Sequence, residues 1–583
     1  IDTLNLIYDT RIKYFKQAIK ANPKNPLFHY NIALTYSQIN KDNKAEMHYK
    51  KSLKLNEKNV DAWINYGNIL KKQNKFHDSI VCYKKALLLK PNYDLALMNM
   101  VLAYFNIEKV KEGIAILKNI PKDSKINLQI QTIIAFGYLL TEEYEKGLIL
   151  SNQLIKNNPN NYTAITNRGI IFIHLNKFQE AIDDLSLILK MNPNDVEALS
   201  NIALAQKGLG YTDKSLQNLN KAIKINPDHL EAHCVRAGVY IDLHNYDESK
   251  KNFKKAISIN KNYPEANFGL GINYLINLEF EKGWKYFDWR FKVKKADINY
   301  FFTNKKEWDG KNFNKKLFIW GEQGLGDHIM FGSLLNELID YPKQIVIFVN
   351  EKLLKLFSRS FPQFIFIGSF AEINNYKFDE HLPLLSLGKL FRKSINDFKK
   401  NKSSYLIDNQ LLTEKFKSKI ITKKIKCGLS WNSINKDVGS NKSINIKELM
   451  PVFTSKKFKF INLQHGEVTD EINFIKKNFK TDIEQFNDIN LFDDIESVAS
   501  IIQSCDIVVT CSNSTAHLAG ALGKDTYLLI PLSRGKLWYW TDISGKSYWY
   551  PTIHIFKQIR SNSWKEPIKM MLKKIEIKYN QLK

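Results

Sequence analysis

Cysteine is scarce in this chain: five residues in 583 (Cys82, Cys234, Cys427, Cys505, Cys511), odd in number and never spaced C-x-x-C. That excludes a disulfide-stapled scaffold and a thiolate metal site, and it fits a reducing compartment. Arginine is also sparse. Only eight of 86 basic residues are Arg (Arg11, Arg168, Arg236, Arg290, Arg359, Arg392, Arg534, Arg560), although its planar fork suits phosphate and base recognition best. No apolar run approaches the roughly 18 residues that span a bilayer, and no basic-then-apolar leader opens the sequence, which begins at Ile1. The expectation is a cytoplasmic protein with no transmembrane segment.

What the chain has in excess is positive charge, +27. A nucleic-acid binder concentrates such charge in a patch. Here residues 1–300 carry 43 basic and 30 acidic groups, and residues 301–583 carry 43 and 29. The excess is spread evenly, as expected of Lys-rich solvated surfaces, and no specific nucleic-acid partner is expected. With 44% hydrophobic and 12% aromatic residues against 25% charged, the chain can fold. Its length allows about four domain-sized units at roughly 150 residues each, or one long repeat array.

Pro23, Pro91, Pro159, Pro193 and Pro227 are separated by 34 or 68 residues. The same register marks Glu57, Lys125 and Lys261. Ten residues after each mark stand Ala33, Gly67, Val101, Ala135, Gly169, Ala203, Ala237 and Gly271; thirteen after stand Tyr36, Leu70, Tyr104, Tyr138, Phe172, Gln206, Tyr240 and Tyr274. Five before come Ala18, Ser52, Ala86, Ile120, Leu154, Ile188, Ala222 and Ala256. Small residues in fixed register let paired helices approach closely. The pattern resembles the tetratricopeptide repeat, nearly spelled by Trp63-x2-Tyr66-Gly67-x2-Leu70, Ser79-x3-Tyr83, Ala86 and Pro91. Helix pairs are expected from residue 26 to 263, with a degenerate pair to about 292 and the weakest repeat near Lys125. Such pairs stack into a solenoid with a concave groove, because no single pair buries its own apolar face. Core packing accounts for the array's aromatic residues.

After the aromatic segment Glu281 to Phe291 the periodicity changes. Short apolar runs at 316–320, 344–349, 364–367, 427–431, 458–463, 506–510 and 527–531 alternate with helical stretches, the signature of buried parallel strands in an α/β architecture. A charged stretch from Glu414 to Lys426 divides the region into halves.

Three segments carry candidate chemistry. Strand 317–320 runs into G-E-Q-G-L-G-D (Gly321 to Asp327) and then an apolar helix. Strand, glycine turn and helix start, in that order, aim N–H groups and a positive helix end at the carboxyl edge of a sheet. The spacing is not the dinucleotide fingerprint. Gly324 and Gly326 are candidates for phosphate contact, and Asp327 either caps its helix or accepts a proton from an acceptor hydroxyl. The second segment, Asp506 to Lys524, holds Ser512, Asn513, Ser514 and Thr515 between a strand and a small-residue helix, a run that either wraps a diphosphate or caps the helix. His517, one turn on, either contacts ligand or packs under the sheet. Third, the loop 432–443 after strand 427–431 places Lys436, Gly439 and Lys442 where lysines can hold phosphate. Trp538 and Trp540, after Arg534, either stack on a base or sugar or fill the core.

Taken together, G-E-Q-G-L-G-D-x-I, L-S-W with K-S-I, N-L-Q-H-G (Asn462 to Gly466), S-N-S-T-A-H-L-A-G-A-L-G-K and W-Y-P-T-I-H-I-F-K-Q (Trp549 to Gln558) resemble the heptosyltransferase-like (family 9-like) glycosyltransferases. More closely, the chain resembles bacterial proteins that join a tetratricopeptide array to such a domain. The resemblance implies an α-solenoid over 1–292 followed by a GT-B fold of two Rossmann-like halves: 293–422 on the acceptor side and 423–583 on the nucleotide-sugar side. It implies Asp327 as general base and Ser512–Thr515 as the donor-phosphate loop. The family commonly has Asp-Thr where this chain has Ser512-Asn513, so the donor need not be heptose. The absence of D-x-D agrees with metal-independent transfer, with no cofactor beyond the nucleotide-sugar substrate. A protein or peptide in the repeat groove is the expected partner. The alternative is a non-catalytic repeat scaffold carrying an inactive GT-B domain.

Overall fold

The structure is a computed structural model, and it describes residues 2–91, 93–120, 127–293, 298–435, 438–532, 534–560 and 563–580. The chain divides into two compact units, Ile1–Leu209 and Gly210–Lys583.

The described residues of unit 1 form helices and the turns between them. After the helix Asp2–Ala21 come the pairs Pro26–Gln38 with Asp42–Leu55, Val60–Lys72 with Phe76–Leu89, Asp94–Asn106 with Val110–Lys118, Asn127–Leu140 with Tyr144–Asn157, and Tyr162–His174 with Phe178–Met191, then Val196–Gly208. The first helix of each pair starts in register with the 34-residue marks wherever those marks are described; Lys125 lies outside the described residues. Two residues after the mark sits the N-cap: the side chains of Asn59, Asn161 and Asp195 accept from the N–H of Ala62, Ala164 and Ala198, satisfying a helix-end donor that would otherwise lack a partner.

The small residues sit where the helices touch. Ala33, Val101, Ala135 and Ala203 are fully buried, and a Cβ on Gly67 would stand 2.7 Å from the Tyr83 ring. Between the helices of each pair the backbone takes one left-handed step, at Asn40, Asn74, Glu108, Glu142, Asn176, Gly210, His244 and Leu278. These residues are also 34 apart. The step redirects the chain into the second helix; glycine takes it without strain only at Gly210, and asparagine is the side chain that best tolerates it elsewhere.

Unit 2 opens with more of the same helices: Thr212–Ile225, Leu230–Asp242, Tyr246–Ile259, Pro264–Ile276 and Phe280–Phe287, then a 3-10 turn Asp288–Lys292. Two sheets follow. The first contains β1 (Lys306–Glu307), β2 (Leu317–Trp320), β3 (Ile345–Phe348), β4 (Ile365–Ile367) and β5 (Glu380–Pro383), all parallel in the order β1-β5-β2-β3-β4. The second contains β6 (Ile425–Ser430), β7 (Phe458–Asn462), β8 (Ile483–Glu484), β9 (Ile507–Cys511), β10 (Asp525–Ile530), β11 (Asp542–Ile543), β12 (Lys546–Ser547) and β13 (Ile553–Lys557). Its order is β11-β12-β13-β10-β9-β6-β7-β8, parallel except for the β11-β12-β13 flap. All seven apolar runs named from sequence are strands; except for the edge strand β4, whose Ile365 and Phe366 are only partly buried, they are largely buried on both faces, as inner parallel strands are. The short or polar strands β1, β5 and β8 carry too little apolar signal to be read.

The aromatic segment that ends the repeats also belongs to the first sheet's core. Trp284 is buried and donates from Nε1 to the Arg392 carbonyl at 2.6 Å, and its ring packs edge-on to Phe331 and Trp538. One apolar core therefore runs from Leu275, Phe280 and Phe287 through Leu334 and Leu385 to Trp549 and Ile553. No helix among the described residues is long and apolar enough to cross a membrane.

Candidate functional site

Within unit 2, a cavity of about 740 Å³ opens at the carboxyl ends of β2, β3, β6, β7 and β9. This is the edge where parallel sheets bind ligands, because loops and helix N-termini converge there. Gly324, Gly326 and Asp327 line it from the first sheet, and Lys442, Ser512, Asn513, Ser514 and His517 line it from the second. Thr515 is buried and is not part of the wall. Lys436 lies outside the described residues.

Asp327 sits in the first turn of the helix Leu325–Gly332. Burial pushes its carboxyl up to about 6, and the negative charge of Glu322 adds to this; Lys442 and the backbone N–H groups of Gly324 and Asp327 oppose it. Glu322 is itself fully buried and accepts from Arg290 at 2.7 Å and from the Leu385 N–H. Burial pushes Glu322 up, and the guanidinium works against that.

Lys442 ends the short helix Gly439–Lys442 and is 6% exposed. Burial lowers the pKa of its amine, against the pull of Cys511 and Asp327. The loop that carries it folds back tightly: a Cβ on Gly439 would meet the Ser433 carbonyl at 2.4 Å, so only glycine fits without rearrangement. Lys352 and Lys536 also line the wall. Burial, with Lys557 adding, pushes the Lys536 amine down to about 8.

The Ser512–Thr515 turn is largely spoken for. Ser512 Oγ accepts from Trp540 Nε1 at 2.9 Å. Asn513 caps the helix Ser514–Ala521: its Oδ1 accepts from the Ala516 N–H at 3.2 Å, while Nδ2 donates to Ser430 Oγ at 2.7 Å and the Asn432 carbonyl at 3.1 Å. Ser430 Oγ donates in turn to Gln464 Oε1, which also accepts from the N–H groups of Trp431 and Asn432. Gln464 thus braces the loop after β6, a role the N-L-Q-H-G string alone does not reveal. Left facing the cavity from this turn are Ser514 and the first N–H groups of the helix.

His517 is 3% exposed, with Nδ1 2.9 Å from the Tyr550 hydroxyl and its ring against Trp540. Burial and the Lys442 charge lower its pKa to about 3, so it is neutral. It both lines the cavity and packs: a Cβ on Gly326 would lie 2.8 Å from its Cδ2. Gly326 therefore serves the close contact between the helices 325–332 and 514–521, which joins the Asp327 wall to the Ser514 wall. Trp540 is fully buried, whereas Trp538 is half-buried on the cavity wall. Ile241, Phe268, Ile272 and Ile276, helix residues whose spacing in the sequence marks them only as apolar, line the same cavity. Among the described residues no cluster of three or more His, Cys, Asp or Glu could hold a metal ion.

The tetratricopeptide repeat family profile matches residues 14–47, 60–93, 196–229 and 230–263. These segments are tetratricopeptide repeats, a protein-interaction module. Protein FlbA of Caulobacter vibrioides is 27% identical over 304 residues, 48% of this chain and 50% of that protein; the chain thus spans about half the length of the curated relative it matches. Solved structures with similar helices include a tetratricopeptide repeat protein from Parabacteroides merdae (13% identity, 45% of this chain, 99% of that one, TM-score 0.38). Another is a thermophilic TPR protein from Thermus thermophilus (19% identity, 29% of this chain, 92% of that one, TM-score 0.27).

Proposed function

We propose that the sheet region is a metal-independent glycosyltransferase of the GT-B type, moving a sugar from a nucleotide-sugar to an acceptor hydroxyl, with the repeats recruiting a protein acceptor or partner. One observation supports this most: a carboxyl with its pKa raised to about 6 and a buried lysine line one cavity at the carboxyl ends of two parallel sheets. A base poised near neutral pH is what proton abstraction from a hydroxyl needs. The sheets would be the two Rossmann-like halves.

In this reading Asp327 takes the acceptor proton as the acceptor oxygen bonds to the anomeric carbon. The bond from that carbon to the phosphate oxygen breaks, and its electron pair leaves with the nucleoside diphosphate. Lys442, Ser514 and the N–H groups opening the helix 514–521 face the charge that develops there. Neutral His517 can donate from Nε2 to the same group.

A non-catalytic scaffold is the second reading, favoured by the internal bonds that occupy Ser512 and Asn513. A thermal-shift and hydrolysis screen over UDP-, GDP-, ADP-, dTDP- and CMP-linked sugars separates the two, with Asp327→Ala as control. A bound donor raises the melting temperature by mass action. If no nucleotide or nucleotide-sugar shifts it, the scaffold reading stands and the transferase does not.

A further inference from the structure

The cavity has two chemically different walls. Its charged and polar groups come from the loops and helix starts that follow the strands, among them Asp327, Lys352, Lys442, Ser514 and Lys536. The wall from the last repeats is apolar without exception, consisting of Ile241, Phe268, Ile272, Ile276 and Phe287. Phe268 packs on Phe287, and Phe287 on Trp538, so Leu537 and Trp538 continue this wall across to the second sheet. Phe268, Ile272, Ile276 and Trp538 are only partly buried by the protein itself. A sugar hydroxyl pressed against such a surface would lose water and find no partner, a penalty of order 1–3 kcal/mol per group. A bulky apolar side chain fits it, and the wall is built by the helices Leu230–Asp242, Pro264–Ile276 and Phe280–Phe287, the first within a matched tetratricopeptide repeat and the other two continuing the array directly after it.

Resting on the transferase reading above, we propose that the acceptor is a polypeptide whose hydroxyl-bearing residue lies within two positions of a bulky apolar side chain, that side chain seating on Phe268, Ile272, Ile276 and Trp538. The repeats would then select acceptors inside the cleft itself as well as recruit them.

The test uses the full chain and fluorescein-labelled heptapeptides with a central threonine, flanked by leucine or phenylalanine, by asparagine, or by lysine. Binding is read by anisotropy. A photoreactive leucine in the first set is cross-linked and mapped by mass spectrometry. The expected result is at least tenfold tighter binding of the apolar-flanked set, with cross-links at Phe268, Ile272, Ile276 or Trp538. Ile272→Glu should lose that advantage and bind the lysine-flanked set at least fivefold better than the wild type does. That gain cannot come from misfolding. Equal binding of polar and apolar peptides, or cross-links confined to residues 1–209, overturns the proposal. So does labelling of the wall by a photoreactive short-chain polyprenyl alcohol that the peptides neither match nor displace, which would point to a lipid acceptor. The nucleotide thermal shift is measured on the same samples. If it is present while the peptide preference is absent, the transferase reading survives and only this inference fails; if it is absent, that reading fails with it.

Discussion

The Arg290 guanidinium donates to Glu322 Oε1 at 2.7 Å, and both side chains are completely buried. Arg290 follows the last repeat helix and Glu322 begins the glycine turn that carries Asp327, so one ion pair ties the end of the array to the candidate base. Its value as a net stabiliser is small, because desolvating both ions offsets much of their attraction. Breaking it from one side is different.

Arg290→Met leaves Glu322 buried without its counter-charge and should cost roughly 3–5 kcal/mol, read as a fall in the urea midpoint. Arg290→Met with Glu322→Gln should recover most of that. Glu322→Gln also removes a negative charge that raises the Asp327 pKa, so the acid limb of any transfer rate should move to lower pH. A limb that stays in place would mean Glu322 does not act on the base.

Asp327→Asn should abolish transfer and still raise stability at neutral pH. The folded pKa of about 6 exceeds the ordinary aspartate value of 3.8, so between these values the folded state binds more protons and stability falls as pH rises. By pH 7 the ionised carboxylate costs up to about 3 kcal/mol, which the amide does not. Melting curves of both proteins at pH 4 and pH 7.5 check this: the gap should open only at the higher pH. Transfer by the unaltered chain should climb with pH through about 6 and then level off, since the base must be ionised.

Gly326→Ala puts a methyl 2.8 Å from the His517 ring. Overpacking of this kind costs roughly 1–3 kcal/mol and pushes the two cavity walls apart. The expected outcome is a lowered melting temperature together with weakened nucleotide binding. If only stability changes, the contact does not set the width of the site.

Asn513→Asp keeps the shape of the side chain and its capping oxygen, yet it should destabilise. The Nδ2 of Asn513 donates to Ser430 and to the Asn432 carbonyl; a carboxylate there has no hydrogens to give and would face that carbonyl. A loss of about 1–3 kcal/mol is expected, measured by denaturant unfolding. An unchanged midpoint would mean that the loop after β6 does not depend on this amide.

Asp525 anchors the last helix, Lys565–Asn580, to the second sheet. Burial alone would raise its pKa, but bonds from His554 and Lys578 outweigh that and hold it down at about 2. A lowered carboxylate contributes stability above its unfolded pKa and loses it as pH falls toward 2. Asp525→Asn should therefore cost roughly 2 kcal/mol at pH 7 and nearly nothing at pH 2, by denaturant midpoints at the two values.

The repeats were legible in the sequence, because a helix pair is a local structure: prolines, small contact residues and aromatic fillers recur at the 34-residue spacing that stacking imposes. The buried strands were legible too, as continuous apolar runs; the order of strand, glycine turn and helix marked Asp327, and that of strand, polar turn and helix marked Ser514, each at the carboxyl end of its own sheet. Tertiary structure decided how those residues are used. Gly326, a candidate phosphate contact, both lines the cavity and lies against His517; Asn513, open in the sequence to either a ligand or a capping role, caps the helix and bonds Ser430 while lining the cavity. Ile272 and Ile276 carry only an apolar signal in the sequence, and the fold makes them cavity lining. Side-chain partners more than a hundred residues apart, such as Trp284 and the Arg392 carbonyl, leave no periodic trace in a sequence, and only the folded chain brings them together.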